Sequence, residues 1–134
     1  MGQRPAPQTV LLVDDEPSIR QFFAKTLEMG GYASVEASTG EAALRLLQDG
    51  LCPDAVLLDL TMPGMGGLGF LLRLRSDPRC SDIPVAIVTG HGILPAPVQQ
   101  AARKFNVAVH YKPVNIEQLL ELTEGLLRPS RGPH

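Results

Sequence analysis

At 134 residues with a formal net charge of −2, the chain has room for one sizeable core and no basic surface to suit nucleic acid or an acidic membrane. Its 44% hydrophobic and 19% charged residues match soluble globular proteins, and no apolar run approaches the ~20 residues of a membrane span. The start, Met1–Gln8, lacks the apolar middle of a signal peptide, so a cytoplasmic location is expected. Two cysteines, Cys52 and Cys80, fall in expected loops and make neither a disulfide framework nor a CxxC metal site. They are expected to be reduced thiols.

Residues 1–7 read as a disordered lead-in, 8–127 as one domain and 128–134 as a disordered tail. Thr9–Val13 is a β-branched, aliphatic run ending in Asp14-Asp15-Glu16. Pro17 suits the first position of a helix, with acids just ahead of it at the positive end of the dipole. From there Ile19, Phe22, Phe23, Thr26 and Leu27 recur at helical spacing until Gly30-Gly31. Arg20 and Ser18 are expected on that helix's exposed side. Tyr32–Ala37 is mixed in polarity, as an edge strand can be. Gly40-Glu41 opens a second helix, carrying Ala43, Leu44 and Leu47 and closed at Gly50.

Val56, Leu57 and Leu58 form an uninterrupted apolar segment, the pattern of a strand buried on both faces of a parallel sheet. Asp59 stands where it runs out, before a turn stiff at Pro63 and permissive at Gly64, Gly66 and Gly67. A helix is expected over 68–76, with Leu68, Leu71, Leu72 and Arg75 on neighbouring turns, stopped by Asp77-Pro78. Pro84–Val88 is a fourth strand ending in Thr89-Gly90. Gly92, Pro95 and Pro97 crowd the next loop, so the stripe Val98, Ala101, Ala102, Phe105 predicts a short, late helix. Val107–Tyr111 is the fifth strand, leading into Lys112-Pro113. Ile116, Leu119, Leu120, Thr123 and Leu127 mark a last helix after Asn115, a good N-cap. Five strands alternating with five helices predict a parallel sheet covered on both faces.

In such a sheet the carboxyl ends of the strands share one edge, where chemistry collects. That edge receives Asp14 and Asp15, Asp59, Thr89 and Lys112. Three carboxylates in one crevice repel one another unless a cation neutralises them. Mg²⁺ fits, because it takes few carboxylates and leaves positions for a phosphoryl oxygen. Asp59 is then the expected nucleophile, with Asp14, Asp15 and Asp59 at the metal. Thr89 and Lys112 are placed to bind phosphoryl oxygens.

Asp14-Asp15, Asp59-Leu-Thr-Met-Pro-Gly-Met-Gly-Gly67, Thr89-Gly90 and Lys112-Pro113 together resemble receiver domains of two-component response regulators, over about residues 8 to 127. The resemblance implies a flavodoxin-like, doubly wound sheet of order 2-1-3-4-5 with five helices. It implies a signalling domain rather than an enzyme acting on other molecules. Asp59 would take a phosphoryl group from a histidine kinase or histidine phosphotransfer protein, with Mg²⁺ required. Arg20 and Ser18 could then touch the kinase. Lys112-Pro113 is expected to be cis. Thr61 and His91, two residues beyond Asp59 and Thr89, correspond to positions that tune hydrolysis of the acyl phosphate. Phosphorylation would draw Thr89 inward and change the surface over 90–127, controlling a downstream protein or output domain. A phosphorylation-dependent dimer is a further option, and direct contact with nucleic acid or membrane is not expected.

Two features depart from that pattern. Val109 stands three residues before the lysine, where the family usually has Tyr or Phe, and Tyr111 is expected on the other face of the strand. Gly90 replaces the more usual alanine. These departures motivate the alternative of a receiver-like interaction scaffold that does not switch. A hydrolase would want a second acid two residues after Asp59, where Thr61 stands. Flavin binding would want a phosphate-cradling loop after the first strand.

Overall fold

Two buried strands set the frame. In the computed structural model, whose described residues are 6–90 and 92–128, β1 (Thr9–Val13) and β3 (Ala55–Leu58) pair in parallel, Val10 with Ala55 through Val13 with Leu58. β2 (Ala33–Ala37) flanks β1, β4 (Val85–Thr89) flanks β3, and β5 (Ala108–Tyr111) forms the far edge. The order is therefore 2-1-3-4-5, all parallel, as expected. The helices are α1 (Pro17–Met29), α2 (Gly40–Gln48), α3 (Gly66–Ser76), α4 (Ala96–Lys104) and α5 (Ile116–Leu127).

Strand alternation divides the core into two layers. Leu11, Val13, Val56, Leu58 and Ile87 pack with Phe70, Leu71 and Leu74 of α3 and with buried residues of α2 and α4. Val10, Leu12, Leu57, Ala86 and Val88 pack with Phe23 and Leu27 of α1 and Leu119 of α5. Because both faces are covered, β1, β3 and β4 need apolar side chains at nearly every position, which is why they read as unbroken apolar runs. Among the described residues no helix is long and apolar enough to cross a membrane.

Some boundaries differ from expectation. α3 starts at Gly66, two residues early, because the Gly67 N–H already bonds the Leu60 carbonyl and tightens the turn. α4 starts at Ala96, with Pro97 in its first turn, where an absent N–H costs no helical bond. Phe22 and Leu72 are more than a third exposed, although both belong to the expected stripes. Successive helical residues point about 100° apart, so Phe23 and Leu71 take the core and their neighbours the rim. Asn115 caps α5 in a reciprocal box: its Oδ1 accepts from the Gln118 N–H (2.8 Å), and Gln118 Oε1 accepts from the Asn115 N–H (2.9 Å). Both cysteines are free thiols, Cys52 exposed and Cys80 buried. Residues 1–5 of the expected lead-in, 129–134 of the expected tail, and His91 lie outside the described residues.

Thr123 on α5 is fully buried, and its hydroxyl has no hydrogen-bond partner among the described residues. A buried, unpaired hydroxyl costs roughly 1–3 kcal/mol. Thr123→Val, which keeps the branched shape, is therefore expected to stabilise the fold by about 1 kcal/mol, read from urea unfolding midpoints at constant slope.

Candidate functional site

β1 and β3 lie side by side, so the residues that follow them emerge together. The Asp59 N–H bonds the Val13 carbonyl (2.9 Å), and the Asp14 N–H bonds the Ala37 carbonyl (3.1 Å). Carboxylate oxygens of Asp14, Asp15 and Asp59 come within 4.8 Å of one another. Asp14 and Asp59 are each 4% exposed, whereas Asp15 faces solvent.

Lys112 reaches this cluster from the end of β5, 98 residues along the chain from Asp14. Its ammonium donates to Asp14 Oδ2 at 2.8 Å and stands 3.7 Å from Asp59 Oδ1. The second distance is too long for a hydrogen bond, and Asp59 Oδ1 has no hydrogen-bond partner among the described residues. The Lys112-Pro113 peptide is cis.

Burial is the main cause holding the Asp59 carboxyl above the ordinary carboxylate range. Lys112 and the Thr61 backbone N–H oppose that shift, while Asp14 and Asp15 reinforce it. For Lys112, burial works against the charged form. The hydrogen bond and charge of Asp14, with Asp59 and Glu16, outweigh it and hold the ammonium above its usual range. The site thus holds a firmly charged cation beside an acid that gives up its proton reluctantly.

A pocket of about 310 Å³ opens over Asp59, walled by Asp15, Glu16, Thr61, Gly90 and Lys112. Asp14 lies behind Lys112 as its acceptor. Thr61 is exposed on the pocket wall, two residues past Asp59. Thr89 ends β4 fully buried, its carbonyl accepting from the Lys112 N–H at 2.8 Å, and the next residue, Gly90, is the one facing the pocket.

Val109 and Tyr111 are two residues apart, not one, so they share a face of β5, and Tyr111 stands in register with Thr89. The expectation that Tyr111 faces the other way is therefore corrected. It is half exposed, whereas Val109 packs on the core.

Some residues that matter here gave no clear signal in the sequence. Glu16 walls the pocket and acts on Lys112. Glu41, at the start of α2, accepts from the Met65 N–H at 3.2 Å and steadies the loop after β3. In that loop Gly64 has φ +79°, a left-handed conformation that favours glycine. Arg20 was expected to be exposed, but its side chain is only 17% exposed and is tied to Glu36 and to the Asp14 carbonyl.

Gly67 packs against the backbone directly beneath the site. A Cβ there would fall on the Asp59 carbonyl and 2.7 Å from Leu60 Cα. Backbone cannot rotate away as a side chain can, so Gly67→Ala is expected to cost about 2 kcal/mol. It should also move the Asp59 and Leu60 amide resonances, because the strand end itself must shift.

Residues 10–124 match the family described as the response regulator receiver domain. The chain is 41% identical over 130 residues to the positive alginate biosynthesis regulatory protein of Pseudomonas aeruginosa, covering 91% of this chain and 48% of that protein. It is 34% identical over 125 residues to the DNA-binding dual master transcriptional regulator RpaA of Synechocystis sp., covering 89% and 48%. It thus spans about half the length of these two relatives. Among solved structures, the chemotaxis protein CheY4 of Vibrio cholerae superposes with a TM-score of 0.81 at 30% identity, covering 91% of this chain and 100% of that one.

Proposed function

Since the chain belongs to the receiver domain family of two-component response regulators, we propose that Asp59 is its phosphoacceptor, loaded in a Mg²⁺-dependent reaction from a phosphohistidine on a kinase or phosphotransfer protein. The observation that carries this reading is the Asp59 carboxylate itself: buried, without a hydrogen bond at Oδ1 among the described residues, and set between two acids and one lysine. An orphaned oxygen beside two further carboxylates suits a hard divalent cation, so the residues present fit Mg²⁺. Asp14, Asp15 and Asp59 would hold it, and when bound it supplies neutralisation of phosphoryl oxygens.

The chain's own residues do the rest. An Asp59 oxygen attacks phosphorus, forming the acyl phosphate bond. The bond from phosphorus to the donor imidazole breaks, and its electron pair leaves with the donor nitrogen. Lys112, which keeps its proton, is placed to exchange its contact with Asp59 for one with a phosphoryl oxygen. The Thr89 hydroxyl, buried one residue from the pocket wall, is the proposed ligand for another. Thr61, on the pocket wall, and His91 would tune hydrolysis.

Signal output would run through 90–127, where a groove of about 480 Å³ lies between β5 and α5, lined by residues including Val109, Tyr111, Gln118 and Leu122. The partner there is an output domain, a separate downstream protein or a second copy of the chain. No observation favours the non-switching scaffold. The test is incubation with acetyl phosphate and Mg²⁺, followed by intact mass. A gain of one phosphoryl group that EDTA prevents is expected. No gain at saturating acetyl phosphate would overturn the reading.

A further inference from the structure

The turn that carries Asp14 and Asp15 keeps one bond to the sheet, from the Asp14 N–H to the Ala37 carbonyl (3.1 Å), and beyond it must be held by other groups, because β1 ends at Val13. The Asp14 side chain accepts the Glu16 N–H at Oδ1 (2.9 Å) and the Lys112 ammonium at Oδ2 (2.8 Å). Its backbone carbonyl, past the end of the strand, accepts from Arg20 Nη1 at 2.7 Å. Arg20 is held in turn on Glu36 of β2, through Nε to Oε1 at 3.2 Å.

The peptide bond is planar, so gripping the Asp14 carbonyl orients the plane that also carries the Asp15 Cα. Asp15 is the exposed member of the acidic cluster and depends most on that plane for its direction. Arg20 meets the cluster at the Asp14 backbone carbonyl and is anchored on Glu36, so backbone geometry is a direct route for its influence.

We propose that Arg20, anchored on Glu36, is a positioning residue that sets the Asp14–Asp15 peptide plane and thereby the affinity of the acidic cluster for a divalent cation, an inference that rests on the metal-dependent reading above. Charge and geometry predict opposite signs. A cationic side chain near a cation site weakens binding by repulsion, so removing it for charge reasons alone would tighten the site. Removing a positioning clamp loosens it. Lysine separates the two, since it keeps the charge but lacks the planar fork that reaches two acceptors at once.

The experiment titrates the full chain with Mn²⁺, reading the free ion by electron paramagnetic resonance, and records amide spectra of the metal-free protein. Arg20→Lys and Arg20→Met are each expected to weaken binding about tenfold, at the low end for residues that orient metal ligands. The Asp15 and Glu16 amide resonances should move before any metal is added. Glu36→Gln, a milder change at the exposed end of the clamp, should weaken binding by a smaller factor and guards against misfolding of the Arg20 variants. Unchanged affinity in Arg20→Lys, or tighter binding in Arg20→Met, would overturn the proposal while leaving the metal-dependent reading intact. Absence of Mn²⁺ binding by the unsubstituted chain would overturn both.

Discussion

Asp59→Asn is expected to abolish labelling by acetyl phosphate in Mg²⁺ and, at the same time, to make the metal-free protein more stable at neutral pH. The first effect follows from loss of the attacking carboxylate. An amide oxygen of similar size lacks the charge to form an acyl phosphate, so labelling at the normal rate in this variant would place the phosphoryl group elsewhere. The second follows from where the carboxylate sits. Burial and two neighbouring acids raise its proton affinity in the folded chain despite Lys112 and the Thr61 N–H.

A carboxyl whose folded value lies above its unfolded value binds its proton more tightly in the native state. Its contribution to stability is fully present below the unfolded value, 3.8 for Asp, and is lost as pH rises through the folded value. The stability difference between Asp59→Asn and the unsubstituted chain should therefore widen across that window and flatten above it. Mg²⁺ should act in the opposite direction. A ligand at one hundred times its Kd stabilises by about 2.7 kcal/mol, and the asparagine variant should forfeit most of that gain. Urea unfolding against pH, with and without Mg²⁺, reads both the pH-dependent difference and the lost Mg²⁺ gain. A pH-independent difference between the two proteins would refute the assignment of Asp59 as a strained acid.

Lys112→Met is expected to be the most destabilising exchange of a charged residue at the site. The lysine side chain is 15% exposed and its partner Asp14 only 6%. Removing one member of a buried pair leaves the other charge uncompensated, at a cost of about 3 kcal/mol. Here the loss is sharper, because Asp14, Asp15 and Asp59 would then face one another without their resident cation. The variant should accordingly gain more stability from Mg²⁺ than the unsubstituted chain does, while losing most of its labelling. The double variant with Asp59→Asn should cost less than the sum of the two single changes, by at least ~1 kcal/mol, since neutralising Asp59 relieves the repulsion that loss of the lysine exposes. Additive effects would mean that Lys112 acts through packing, not charge.

The fold was legible because each buried strand advertises its own burial. Val10–Val13, Val56–Leu58 and Val85–Val88 are apolar throughout because helices cover both faces of the sheet, and Gly, Pro or Asp punctuates the segments between them. Helix starts were harder to read. Glycines at 66 and 67 looked like loop, yet a backbone bond to Leu60 recruits them into α3. The polar residues of the candidate site were legible as a set sharing one sheet edge, namely strand-end acids, a threonine and a lysine.

The sequence alone determined the alternation of strands and helices, and with it which residues stand at strand ends, because burial selects residue type locally and position by position. Only the tertiary structure decided the distances between groups dozens of residues apart: which oxygen of Asp59 is left without a hydrogen bond among the described residues, that Lys112 hydrogen-bonds Asp14 rather than Asp59, and that Arg20 turns inward to the Asp14 carbonyl. Those outcomes depend on strand register and on competition among several charges for few partners, and no stretch of chain encodes either by itself.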